Sequence, residues 1–218
     1  MPWLLSKTAY QQLRQNSQVL EADIYGEKVL LKNYKIIKLF RTKSWFSSAI
    51  IYPYAWRFVK NASQLKKLNI PTVDIENQFY CYAIRRHGVI YALLEGIALS
   101  DLLTQNKPNI YQQLAQFIAT LHDLGVYFRS LHPGNILLLP DGQFGLIDIA
   151  DMQFKKPLSL SQRQRNFCHL FRYKQYHQGF NNFGWHQFFT LYNQSTEKKC
   201  FKAEKFINNL QNKRLIRL

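Results

Sequence analysis

The chain has 218 residues, 47% of them hydrophobic, enough to bury a substantial core as one compact unit or two lobes. It sets 29 Lys and Arg against 13 Asp and Glu, a formal charge of +16, which implies a partner carrying phosphate: nucleic acid, an anionic membrane surface or a phosphorylated glycolipid. No run reaches the ~18 apolar residues of a spanning helix, the opening MPWLLSKTAYQQL lacks the apolar stretch of a cleaved signal, and Cys81, Cys168 and Cys200 are too scattered for a disulfide framework or a zinc site; a cytoplasmic protein is expected.

In chain order, a helix-like opening leads into QVLEAD, YGEKVLLK and YKIIKLFR, three strand-like segments with turn residues at Gly26 and Asn33. In YPYAWRFVKNASQLKKL, Phe58, Ala62 and Leu65 recur at helical spacing, Pro53 suits an early helical position, and Asn69-Ile70-Pro71 ends the helix. TVDIENQFYCYAIRR and GVIYALLEG predict a further strand pair, separated at His87-Gly88. Ser100 is placed to cap a short turn, SDLLTQ. After Pro108, NIYQQLAQFIATLHDLG puts Ile110, Leu114, Phe117, Ile118 and Leu121 on one apolar stripe, and Gly125 suits the position just past that helix. NILLL and FGLIDI are joined by Pro140-Asp141-Gly142, a hairpin signal. From about Ser159 the pattern is helical: SQRQRNFCHLFRY, GWHQFFTLYNQ and a Lys-rich terminal helix. The expected fold is α+β, with a small antiparallel-sheet lobe carrying one helix over 1–98 and a mainly helical lobe over 99–218.

Acids are few enough to inspect one by one. None lies between Glu27 and Asp74, and none between Asp151 and Glu197. Sheet with helix, joining strand, long helix, Asn-bearing loop, hairpin and Asp is the element order of a bilobal protein-kinase-like fold. The stretch GVYFRSLHPGNILLLPDGQFGLIDIADM resembles the catalytic region of bacterial small-molecule and lipopolysaccharide-core sugar kinases, whose loop commonly reads like HGDLHPGNILL. LKNYKIIKLFR, RFVKNASQLKKLNIP and RNFCHLFRY resemble the lipopolysaccharide kinases and their toluene-tolerance relatives, and the likeness spans roughly residues 17–180.

The resemblance implies ATP and Mg²⁺ as cofactors and gives each matched residue a task. Lys38 would set an ammonium against the α and β phosphates, Asn135 and Asp148 would ligate Mg²⁺, and Glu95 would sit at the hinge where backbone meets adenine. A carboxylate after an apolar LI is costly to bury unless paired or metal-bound, which independently favours a functional Asp148. His132 would order the loop, and His122 reads as a packing histidine. Ser130 stands where the related loops carry an aspartate, and its neutral hydroxyl cannot accept a proton as a carboxylate does. Asp151 is the nearest replacement acid, and Arg129 is placed to bind a phosphate of an already phosphorylated acceptor.

Two further departures accompany Ser130. DIYGEK has one glycine where phosphate-covering loops have several, and the helix after Lys38 has no acid to pair with it, so Glu21, Asp23, Glu27, Asp74 or Glu76 would have to serve. Three readings follow in order: a phosphotransferase acting on a lipopolysaccharide-core sugar or related anionic glycolipid at the inner face of the inner membrane; a kinase-like binding or regulatory protein without turnover; and an atypical protein serine kinase. RFVKNASQLKK and KRLIRL are the candidate faces for peripheral membrane contact. A nucleic-acid partner ranks last, because the aromatics are not interleaved with basic residues in an RNA-binding pattern.

Overall fold

The structure, a computed structural model, describes residues 3–41, 53–105, 108–197, 203–212 and 216. It divides into two units, Met1–Glu95 with Asp148–Asp151, and Gly96–Ile147 with Met152–Leu218. Cys200 and most of KRLIRL lie outside the described residues.

The first unit starts with a short strand, β1 (Trp3–Leu5), and a helix, α1 (Lys7–Arg14), whose N-cap Ser6 hydroxyl accepts the Ala9 N–H. The three expected strands follow as β2 (Gln18–Asp23), β3 (Gly26–Lys32) and β4 (Lys35–Arg41). Helix α2 (Tyr54–Lys67) leads to β5 (Ile75–Cys81) and β6 (Arg86–Ala92). The sheet order is β1-β5-β6-β4-β3-β2, antiparallel throughout except where the unforeseen β1 lies parallel to β5. Leu30, Ile37, Leu39, Phe79 and Ile90 pack with Tyr10 of α1 and the free thiol Cys81 into one core. Phe58 of α2 packs against Phe40 and Tyr91.

One expected turn is displaced. His87-Gly88 lies inside β6, and the chain reverses earlier, through a 3₁₀ turn over Tyr82–Ile84 and a left-handed Arg85 at φ 49°. Gly88 answers to packing: it faces Phe79 across the strands, and a Cβ there would come within 2.1 Å of the Phe79 ring.

In the second unit, β7 (Ile97–Ala98) runs into α3 (Leu99–Thr104), and α4 (Pro108–Asp123) is the long amphipathic helix. Ala98, not Ser100, occupies the N-cap of α3; Ser100 falls within the helix, its hydroxyl 3.3 Å from Asp101 Oδ1. Gly125 follows α4 at φ 76°, and a Cβ there would meet the Lys155 carbonyl at 2.1 Å. Then come β8 (Val126–Phe128), the hairpin β9 (Ile136–Leu138) and β10 (Phe144–Leu146), and β11 (Met152–Phe154). The hairpin turn closes as expected, with Gly142 at φ 83° donating to the Leu139 carbonyl. Short strands add edges: β7 pairs with β9, and β11 with β8. Helices α5 (Leu160–Leu170), α6 (His177–Phe183), α7 (Trp185–Ser195) and α8 (Ala203–Asn212) complete the unit around Phe167, Phe171, Trp185, Phe188 and Phe189. No described helix is long and apolar enough to cross a membrane.

Candidate active site

In the first unit, Lys38 sits on β4 between Val29 of β3 and Val89 of β6, so its side chain projects from the middle of the sheet. Its ammonium lies 2.9 Å from Asp148 Oδ1; the lysine is largely buried, whereas Asp148 is almost half exposed. None of the five acids proposed from sequence reaches Lys38. Glu21 pairs with Lys28, Glu27 with Arg14, Glu76 with Lys35 and Asp74 with Lys66, while Asp23 accepts the Tyr25 N–H. The acid-free helix therefore leaves Lys38 to the carboxylate expected to hold metal.

Two further effects locate Asp148. Burial, helped by the negative charge of Asp148, raises the Tyr91 phenol; the Lys28 ammonium is raised chiefly by Glu21, with a smaller pull from Asp148. Asp148 itself adopts φ 52°, a left-handed conformation that aspartate tolerates better than most residues. The 3₁₀ turn Ile149–Asp151 behind it is fixed by Asn61 of α2, whose buried Nδ2 donates to the Ile149 carbonyl at 2.7 Å. Sequence reading missed Asn61, although a polar residue on the Phe58, Ala62, Leu65 stripe was the available sign. Asp151 lies at the end of this turn, partly buried, and Glu95 is exposed where the first unit's main segment ends.

In the second unit the Ser130–Asn135 loop is tightly self-bonded. The Ser130 carbonyl accepts from the His132 N–H at 2.8 Å and from Asn135 Nδ2 at 3.1 Å. His132 Nδ1 accepts the Gly134 N–H and its ring lies beside Tyr173, while the Asn135 carbonyl accepts the Ile147 N–H. Asn135 is only 6% exposed, and with its amide nitrogen engaged its Oδ1 is the atom left to face a cation. Arg129 is exposed.

Behind this loop a buried polar network joins α4, α5 and α7. Arg163 donates to the Leu158 carbonyl, to Tyr192 Oη at 3.0 Å and to Asp123 Oδ1 at 2.6 Å. The Tyr192 hydroxyl that accepts from Arg163 also shares a 2.7 Å hydrogen bond with His122 Nδ1, tying the imidazole into the same network. Burial first and the Arg163 charge second push His122 down to about 3. Asn166 bonds the Phe128 carbonyl and N–H, clamping the strand that enters the loop.

Mg²⁺ prefers hard oxygens from one or two side chains and completes its shell with phosphate and water. The first unit offers an oxygen of that kind in the Asp148 carboxylate and the second, separately, one in Asn135 Oδ1; among the described residues there is no group of three or more His, Cys, Asp or Glu to hold a metal unaided.

Residues 89–192, from β6 through α7, match the lipopolysaccharide kinase (Kdo/WaaP) family. The resemblance read from the loop and hairpin is thus to that family. Among curated proteins, ribosomal protein S6 kinase alpha-3 of Mus musculus and of Homo sapiens are each 25% identical over 151 residues, covering 60% of this chain but 20% of theirs. Two WbdD crystal structures, one with the kinase inhibitor LY294002, superpose with TM-scores of 0.51 and 0.50 at 12% and 14% identity, over 86% and 87% of this chain and 48% and 44% of theirs. The fold is α+β and protein-kinase-like, and the chain spans about a fifth of the length of these curated relatives.

Proposed function

We propose that the protein is an ATP- and Mg²⁺-dependent phosphotransferase whose acceptor is a sugar hydroxyl of lipopolysaccharide core or a related anionic glycolipid. The observation that carries this reading is the 2.9 Å Lys38–Asp148 pair, a sheet-borne cation set against a partly exposed carboxylate. Nothing in the local sequence required that pairing. Lys38 would hold the α and β phosphates; the family resemblance gives Asp148 and Asn135 the metal-holding roles, and a bound metal would supply charge neutralisation to the phosphates.

The acceptor oxygen attacks the γ phosphorus, the bond to the bridging oxygen breaks, and ADP leaves. The hydroxyl proton has no carboxylate at Ser130 to receive it, so Asp151, directly or through water, is assigned that proton. Phosphoryl transfer depends mainly on positioning and charge, and a missing base slows it by about 10² to 10⁴ rather than abolishing it. Arg129, exposed beside Ser130, is assigned to a phosphate already on the acceptor. The +16 charge suits work at the inner face of an anionic membrane, where a nearby Lys or Arg is worth about 1 kcal/mol. Lys60, Lys66 and Lys67 of α2 are exposed for such contact.

Ser130 favours a second reading, a kinase-like protein that binds nucleotide without turnover. A thermal-shift titration with ATP and Mg²⁺ is the first test, since a ligand bound only by the folded state raises its stability. The expected result is a metal-dependent rise in Tm that both Lys38→Met and Asp148→Asn remove. Phosphate transfer from labelled ATP to core glycolipid, with a serine-containing protein as the comparison acceptor, then separates the enzyme from the binder. Binding without transfer to either acceptor would favour the second reading, and no shift at saturating nucleotide would overturn both.

A further inference from the structure

The β2–β3 hairpin tip is held in an unusual way. The Tyr25 carbonyl accepts from Arg86 Nη2 at 2.5 Å, the Tyr25 ring lies under the Arg41 guanidinium with 3.6 Å to its centroid, and the Tyr25 N–H donates to Asp23 Oδ1 at 2.8 Å. Arg41 and Arg86 are directly paired across β4 and β6, so two guanidinium groups leave the same end of the sheet and converge on one residue of the turn. Arg86 is only 6% exposed, and neither arginine has a carboxylate within ion-pair distance among the described residues. Keeping a buried guanidinium without a counter-charge is costly, and the Arg86 side chain donates instead to the Tyr25 backbone carbonyl. Such an arrangement needs a use.

We infer that Arg86, with Arg41, is a positioning residue for nucleotide: it fixes the backbone of the Asp23–Gly26 tip. The inference rests on the kinase reading given above. The same hairpin carries Val29, which faces Lys38 across β3 and β4, so a shift of the tip would be passed along β3 to the Lys38–Asp148 pair. A phosphate-covering loop rich in glycine is mobile and gains its shape on binding. This one has a single glycine, Gly26 at φ 108°, and is pinned from the sheet by arginine, which prepays the ordering cost of that backbone.

Arg86→Met should raise KM for ATP about 10-fold with kcat nearly unchanged, as expected for lost preorganisation rather than lost chemistry. Amide exchange over residues 23–27 should quicken about 10-fold in the same variant, as local opening becomes easier. Arg86→Lys, which keeps a charged donor, should recover most of both effects. Arg41→Gln, at an exposed position, should give a smaller change of the same sign. Unchanged exchange in Arg86→Met would show that no clamp exists, and faster exchange with an unchanged KM would show that the tip takes no part in nucleotide binding; either overturns the inference. Wild-type protein that binds no ATP would overturn the kinase reading and the inference with it, while the exchange data would still report whether the clamp exists.

Discussion

At Ser130 the proposed transfer turns on one atom type. The side chain is a hydroxyl at the head of a loop whose backbone is fully organised: its carbonyl is held by His132 and Asn135, and those bonds do not depend on what the side chain is. Ser130→Asp should therefore leave the loop in place and supply the missing proton acceptor. Turnover on the true acceptor should rise about 10-fold or more, within the usual worth of a general base. Ser130→Ala should change kcat less than about twofold, since a neutral hydroxyl is no base at neutral pH. Steady-state assays of both variants check this, and a large loss in Ser130→Ala would mean that the hydroxyl itself handles the acceptor. Lys38 and Asp148 belong to the same scale. Each was legible as a candidate from its place in KIIKLF and LIDIAD, but their pairing was not, because ion pairs between segments far apart in sequence leave no local spacing to read.

Element by element, the helices and long strands were legible because their periodicity is strong, and the misses have physical reasons. Strands β7, β8 and β11 are two or three residues long, too short for any alternation to show. Gly88 looked like a turn because glycine serves both turns and close packing, and only the facing Phe79 ring distinguishes the two. Helix α2 was found, but its task was not: with no acid to offer Lys38, it holds the Asp148–Asp151 turn through Asn61 instead. Asn61→Leu should thus leave the buried Ile149 carbonyl without that donor and lower stability by about 1 to 3 kcal/mol. It should also weaken the Tm rise given by ATP with Mg²⁺, because Asp148 adjoins the loosened turn. Urea unfolding and nucleotide titration of the variant check both parts. A stability loss with an unaltered nucleotide response would confine Asn61 to packing.

Across the whole molecule, charge sets the response to acid. The chain starts from +16, and six of its 13 carboxylates stand in ion pairs among the described residues, one of them Asp123 with the buried Arg163. His122 adds a defined acid sensitivity beside that pair. Its folded value is pushed from 6.5 down to about 3, first by burial and then by Arg163, with Asn166 opposing. Below pH 6.5 the unfolded chain takes up a proton that the folded chain refuses. The stability contributed by neutral His122 is therefore complete above 6.5 and lost progressively as pH falls towards about 3. One such group gives a slope of up to about 1.4 kcal/mol per pH unit inside that window. His87, also lowered by burial, acts in the same direction. Wild-type protein should lose urea resistance steeply between pH 7 and 5, before the carboxylates titrate. His122→Gln, which can still hydrogen-bond the Tyr192 hydroxyl but cannot take a proton, should be weaker at pH 7 yet flatter over the same range. Parallel slopes for the two proteins would move the acid sensitivity away from this histidine and onto the general repulsion of an already cationic chain.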